Sequence, residues 1–482
     1  MNVEDLEWQA DAYGGVNPRV ADSLLERGYL EVVVQAASER EDWFCARGAV
    51  RVLQAAGDFE WAWEVMRPFA ESGWLPAVSV GADILLQSGR TDEALELARP
   101  DGERRGQGEA CRVYAEVLVQ AGQADAAITA LMPHLRDEWL LSFLVEITEG
   151  QGRDGRVREL VTSLAEEARQ MHASGQRECL GRALDLQAGV LERAGRVDEA
   201  IAVLGADVAA RRSSAEIMYA SYARLLARHG RIEDLRQMAT GDHEPAAFRP
   251  LVTALEEAGR PEEAEALLRD YITTTNCPGN YQSLLMELLI RQGRLDDAVE
   301  AVRPTFGEPG DGLLQAAVLV LAEHGRYTQA LQLLEERSPE FLEEGAHWVP
   351  SNRWWLMGES GRCREAIAEI EAAPDLEPGE RDATIASLLA QDGRLDEAID
   401  LLRSCSGDHS TQLAELLVRR GRPLEALAVI PGVAAGREAE NRRREKNRRR
   451  GAWSDTGDGS ECAGASGGPT GDHRGCTDDP PF

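Results

Sequence analysis

Gly293-Arg294-Leu295-Asp296-Asp297-Ala298 is one copy of a hexapeptide that returns as Gly89 to Ala94 (GRTDEA), Gly195 to Ala200 (GRVDEA), Gly259 to Ala264 (GRPEEA), Gly393 to Ala398 (GRLDEA) and Gly421 to Ala426 (GRPLEA). Apolar residues flank each copy at helical spacing, as with Leu284, Leu285, Leu288 and Leu289 before the glycine and Val299 and Val302 after it. Each side therefore reads as a helix. Glycine after the last periodic residue suits a left-handed cap, because it enters positive φ without a Cβ penalty. The Asp or Glu that follows suits the orphan amides opening the next helix. The unit is helix, tight turn, helix.

Aligned on the glycine, thirteen copies appear, at Gly28, Gly57, Gly89, Gly122, Gly152, Gly195, Gly230, Gly259, Gly293, Gly325, Gly361, Gly393 and Gly421. Four residues earlier stands leucine, except at Thr148 and Met357; five residues later stands alanine, except at Val33, Val157 and Leu235. A small residue there lets two helices cross closely. With the further small residues Ala82, Ala115, Ala188, Ala223, Ala386 and Ala414 seven before the glycine, the pattern resembles the tetratricopeptide repeat over residues 17 to 435. Its mean spacing is about 33 residues, against a family period of about 34. One helix pair cannot bury its apolar face alone, so the expected fold is all-α: a right-handed α-solenoid of about thirteen stacked helix-turn-helix repeats. The expected organisation is an N-terminal cap segment over 1–16, the solenoid over 17–435, a basic segment over 436–450 and a disordered tail over 451–482.

The formal net charge of −32 belongs to the repeats. Residues 436–450 carry eight basic and three acidic side chains and 451–482 carry one and six, so the two ends cancel. An acidic body repels phosphate backbones, which argues against a nucleic-acid-binding solenoid; acidic faces also keep a long protein soluble. The eight cysteines show no CxxC or zinc spacing, and no apolar segment follows basic residues at the N-terminus. A cytoplasmic protein with reduced thiols is expected, without a membrane span, cofactor or metal.

Three stretches depart from the repeat. Aromatics concentrate between Glu41 and Trp74 (Trp43, Phe44, Phe59, Trp61, Trp63, Phe69, Trp74), where they are expected to close the exposed end of the solenoid, the alternative being an aromatic partner site. The 43-residue interval from Gly152 to Gly195 predicts a longer second helix through Val157 to Met171 that projects past its neighbours. In the interval before Gly361, Trp354 occupies a slot that is alanine in half the other copies, so the stacking there must open or shift. The basic run GREAENRRREKNRRR is read as a continuation of the last helix, with Glu438, Glu440 and Glu445 suiting a solvated one.

Catalysis finds little support. The histidines are isolated and HExxH, nucleophile-elbow and P-loop motifs are missing; Cys405 and His409 share a loop without further ligands. His229 and His324 each precede a turn glycine, where they complement a helix C-terminus. The reading is no enzyme.

Binding is what the resemblance implies, because that family builds its concave surface from positions ten and six residues before the turn glycine. Here these include Arg47 and Arg51, Ser79 and Asp83, Arg112 and Glu116, Ser142 and Glu146, then Arg224 and Arg249. Trp355 faces the same groove by that analogy, either as a partner anchor or as compensated packing. The expected function is a non-catalytic scaffold or adaptor holding a protein or peptide segment against Arg47, Arg51, Arg112, Arg224, Arg249 and Trp355. Each arginine could instead pair with an acidic neighbour. The alternative is an RNA-associated or regulatory factor using the basic segment.

Overall fold

The turn glycines close the first helix of each pair in one way. Gly89, at φ 78°, donates its N–H to Leu86 C=O (3.0 Å), and Arg90 N–H reaches back to Leu85 C=O (2.8 Å). This six-to-one closure satisfies carbonyls that a helix end leaves orphaned. The bond recurs from Tyr29 to Leu24 (3.0 Å) at the first turn through Arg422 to Leu417 (2.8 Å) at the last. The leucine four before each glycine thus supplies the acceptor while its side chain enters the core, nowhere more than 7% exposed. At Gly152, where threonine replaces it, Gln151 N–H bonds Thr148 C=O instead.

The turn carboxylates stand in the first turn of the second helix, as Asp92 and Glu93 or Asp396 and Glu397 do, but they do not cap it. The cap position is the arginine, which has no acceptor, and the helices starting after Arg90, Arg231, Arg260, Arg362, Arg394 and Arg422 have no side-chain cap. The carboxylates bond that arginine: Arg90 to Glu93 (2.6 Å), Arg362 to Glu365 (2.8 Å), Arg394 to Glu397 (2.7 Å). Others reach across to the neighbouring repeat, as Arg294 does to Glu265 (2.6 Å).

The computed structural model describes residues 1–176, 181–210, 216–240, 244–275, 278–302, 312–343, 348–373, 376–405 and 409–442. The tail expected over 451–482, and the basic run from residue 443, lie outside them. The described residues form 27 α-helices and no strand. Helix Val3–Ala12 comes first. Thirteen pairs follow, numbered here by their glycines, from pair 1 (Pro18–Glu26 and Leu30–Arg40) to pair 13 (Ser410–Arg419 and Pro423–Val429). Every residue five after a turn glycine is 0% exposed, Val33, Val157 and Leu235 included. The fold is the all-α repeat solenoid.

Its ends meet. The first helix of pair 1 packs on the first helix of pair 13, and one hydrophobic core runs from pair 7 through pair 13 into pairs 1 and 2. A second core fills pairs 3 to 7. Arg40, ending pair 1, donates to the carbonyls of Leu427, Ile430 (2.7 Å) and Pro431 (3.0 Å) at the end of pair 13. A cation on a helix C-terminus is the favourable arrangement.

The contacts divide the chain into Met1–Val433 and Ala434–Phe482. Residues 433–442 are helical, with Arg442 3.5 Å from Glu438. They do not prolong the last helix, because Pro431 and Gly432 intervene after Val429.

The three irregular stretches also resolve. Trp43 stands edge-on to Trp74 at 4.8 Å and 6.1 Å from Phe69, all three buried in the joint between pairs 2 and 3. They close no exposed end, since pair 1 has neighbours on both sides. The long helix is Asp154–Ala173, yet its far half is docked and does not project. Ala165 and Ala168 are 0% exposed, and Arg169 grips Asp207 (2.7 Å) and Gln187 (2.6 Å). Trp354 is buried, and one turn later Gly358 lets the first helix of pair 12 approach closely. A Cβ at Gly358 would lie 2.0 Å from Gln391 Oε1 and 2.9 Å from Leu388 Cδ2.

Candidate functional site

Residues six to thirteen before the turn glycine meet side by side along the first helices. Arg51 bonds Asp22 of pair 1 (2.7 Å), Arg182 bonds Ser142 of pair 5 (3.3 Å), Arg249 bonds Glu287 of pair 9 (2.6 Å), and Gln412 bonds Ser387 of pair 12 (2.8 Å). One face therefore carries them from pair to pair.

The six candidate residues lie along this face in five different pairs, so they form no single site. Arg47 is exposed without an ion pair among the described residues, whereas Arg51, one turn on, is held by Asp22. They do not share one carboxylate. Arg112 pairs with Glu109 (2.8 Å) and Glu116 (3.4 Å) on its own helix and lies over the rings of Trp139 (5.4 Å) and Phe143 (5.3 Å). Arg249 is neutralised by Glu287. Trp355 is 37% exposed and meets Tyr327 edge-on at 6.4 Å.

Arg224 sits in a built depression between pairs 6 and 7, of about 250 Å³. Its lining includes Arg182, Asp185, Gly189, Ser221 and Arg228. Gly189 has open space where a Cβ would stand, which makes room on the floor. Arg228 is bonded to Glu192 through two N–H groups (2.9 and 2.7 Å). Among the described residues the Arg182 and Arg224 guanidinium groups bond only serine hydroxyls, of Ser142 and Ser221 (3.3 Å each), while the Arg182 backbone N–H bonds Glu138 (2.8 Å). Burial pushes the Asp185 carboxyl above its usual range, against the pull of Arg182, Ser221 and Arg224. Two guanidinium groups without a carboxylate bond can therefore receive an acceptor from outside.

Sequence reasoning passed over Trp139, which is 56% exposed, together with Arg182 and Leu319. Trp139 and Arg182 both lie thirteen residues before their turn glycines, one turn ahead of the positions considered. Leu319 lies six before Gly325, in the same register as Trp355, and was legible there.

Among the described residues no three His, Cys, Asp or Glu side chains gather to hold a metal. Cys405 donates to Asp382 (3.0 Å), and burial with that bond pushes the thiol up to about 11, away from a nucleophile. His324 bonds Val320 C=O (2.8 Å) and so serves its helix end, whereas His229 turns to Glu192 (2.8 Å). No described helix is long and apolar enough to cross a membrane.

A tetratricopeptide-repeat family model matches residues 79–100, 245–270 and 280–304, spanning the turns of pairs 3, 8 and 9. No curated protein matches the chain. Among solved structures, Naa15/Naa10 bound to HypK-THB is 15% identical over 80% of this chain and 69% of that one, with a TM-score of 0.36. The Cut9–Hcn1 hetero-tetramer of the APC/C is 13% identical over 85% and 92%, TM-score 0.24. The pentatricopeptide repeat protein PPR10, in complex with an 18-nt psaJ RNA element, is 16% identical over 83% and 65%, TM-score 0.35.

Proposed function

We propose, from the premise that this chain is a tetratricopeptide-like helical-repeat protein, that it is a non-catalytic scaffold whose first-helix groove holds a segment of another protein. The observation supporting this most directly is the depression between pairs 6 and 7, where the groove register places Asp185, Gly189 and Arg224 around accessible space. Arg182 and Arg224 there are the donors with capacity to spare, and Arg47 is a third. Arg51, Arg112 and Arg249 already hold carboxylates, so a partner reaching them must displace those partners. We assign them supporting parts.

The test is co-purification with the full chain from its source cell, beside Arg47→Glu/Arg224→Glu, with bound proteins quantified by mass spectrometry. A stoichiometric protein reduced about tenfold or more by the charge reversal is the expected result, as for loss of a central interface arginine. Equal recovery with both chains would remove the groove reading. RNA recovered with the full chain and lost when the arginines at 442–444 and 448–450 become glutamine would favour the basic segment.

A further inference from the structure

From pair 10 to pair 12 the groove loses its charge. The positions ten and six before the turn glycine are Gln315 and Leu319, Ser351 and Trp355, Ala383 and Ser387. In a body of net charge −32, three consecutive repeats without an ionised side chain at these positions stand apart. Pairs 2 to 5 present Arg47, Arg51, Asp83, Arg112, Glu116 and Glu146 in the same register.

The strip also exposes apolar surface. Leu319 and Trp355 are each 37% exposed, and they hold the same register position in consecutive repeats. Apolar side chains seven apart on a helix share one face about 10 Å apart, so one amphipathic segment can present two of them to consecutive repeats.

The edge of the strip is acidic. One helical turn beyond each apolar residue stands a carboxylate, Glu323 after Leu319 and Glu359 after Trp355, both exposed. Residues at i and i+4 share a helix face, so each repeat presents an apolar contact followed by a negative charge. Glu359 receives Gln391 (3.2 Å), and neither carboxylate has an arginine partner among the described residues. The arginines close by in sequence are engaged: Arg353 with Glu335 and Glu369, Arg326 with Asp296, and Arg362 with Glu365.

We propose that the face formed by Leu319, Trp355, Glu323 and Glu359 is a docking site for a basic amphipathic segment of a partner protein. Its two apolar side chains cover Leu319 and Trp355, and its Lys or Arg residues meet the two carboxylates. This rests on the groove-scaffold reading and adds the chemistry of the occupant. An acidic segment is repelled by the rim; a polar basic one leaves the apolar contacts unmade.

Fluorescence anisotropy with the full chain tests this, using labelled synthetic peptides of about 18 residues at about 0.15 M salt. One has a Leu/Lys amphipathic pattern, a second has Leu/Glu, a third has Ser/Lys. The Leu/Lys peptide is expected to bind, with affinity falling about tenfold in Leu319→Ser/Trp355→Ser and again in Glu323→Lys/Glu359→Lys. The Leu/Glu peptide is expected not to saturate. All four positions are exposed, so both variants should melt like the parent. Unchanged affinity in either variant, or equal binding of Ser/Lys, overturns the proposal. Binding of the Leu/Glu peptide that is lost only in Arg182→Glu/Arg224→Glu would keep the groove reading and end this one; no loss in any variant ends both. Self-association in sedimentation velocity that disappears with Leu319→Ser/Trp355→Ser would assign the strip to a second copy of the chain and overturn the partner proposed.

Discussion

Asp42 carries the attachment of the N-terminal segment on one carboxylate. It is 0% exposed, caps the helix Trp43–Ala55 by accepting Cys45 N–H (3.0 Å), and takes Val16 N–H (2.7 Å) from the loop after the first helix. Gln9 beside it bonds Glu41 C=O (3.1 Å) and Trp43 N–H (2.9 Å). Asp42→Ala strands two buried donors, and a loss of about 2–4 kcal/mol is expected in urea unfolding. Protease cleavage near residues 13–17 should accelerate with it. Gly358 is another residue whose identity the packing dictates. Gly358→Ala should cost about 1–3 kcal/mol through overpacking, and pairing it with Gln391→Ala should recover part of that loss, because the closest obstacle is the end of the Gln391 side chain. Neither residue's role follows from the repeat pattern, since both depend on atoms from another element.

At the scale of the helix pair, stability is divided between an apolar slot and an arginine that ties turn to turn. Glu265 is bonded by Arg294 of the next repeat and Arg269 of its own helix, and those bonds hold its carboxyl below the usual range. Glu192 is likewise lowered, first by Arg228 and then, against its burial, by His229. A carboxylate with a depressed folded-state pKa binds fewer protons folded than unfolded in the interval between the two values. Its contribution is therefore complete above the unfolded value, about 4.3, and is lost as pH falls through the folded one. Acid titration of stability should show a fall beginning near that value, and Glu265→Gln should flatten it; an unaltered profile would show that these bonds do not couple the repeats. The glycine turns carry a separate cost. Gly89→Ala meets no neighbouring atom, so its expected loss of about 1–2 kcal/mol is the left-handed backbone alone.

For the whole repeat unit the meeting of pair 1 with pair 13 is the deciding feature. A linear solenoid has two terminal repeats, each with one neighbour, and frays from them. Here the core continues from pair 13 into pair 1, and Arg40 binds the final carbonyls. Arg40→Ala should raise the radius of gyration in small-angle scattering and speed amide exchange in pairs 1 and 13 before the others. An unchanged scattering curve with unchanged exchange would show that the apolar contact alone holds the ends.

The thirteen copies of the glycine turn, the helices on either side and the buried alanine slot were legible in the chain itself, since helical period, positive φ and side-chain size are local properties that each repeat states for itself. The repeat register was legible to the same extent: Asp185, Gly189 and Arg224 line one depression, and Leu319 and Trp355 hold the same register position. Which arginines are engaged was not, because Arg51 and Asp22, or Arg249 and Glu287, are 29 and 38 residues apart and meet only through stacking. Closure belongs to the tertiary structure for the same reason. Whether the last repeat reaches the first depends on the small rotation at every joint summed over thirteen pairs, and no single repeat contains that sum.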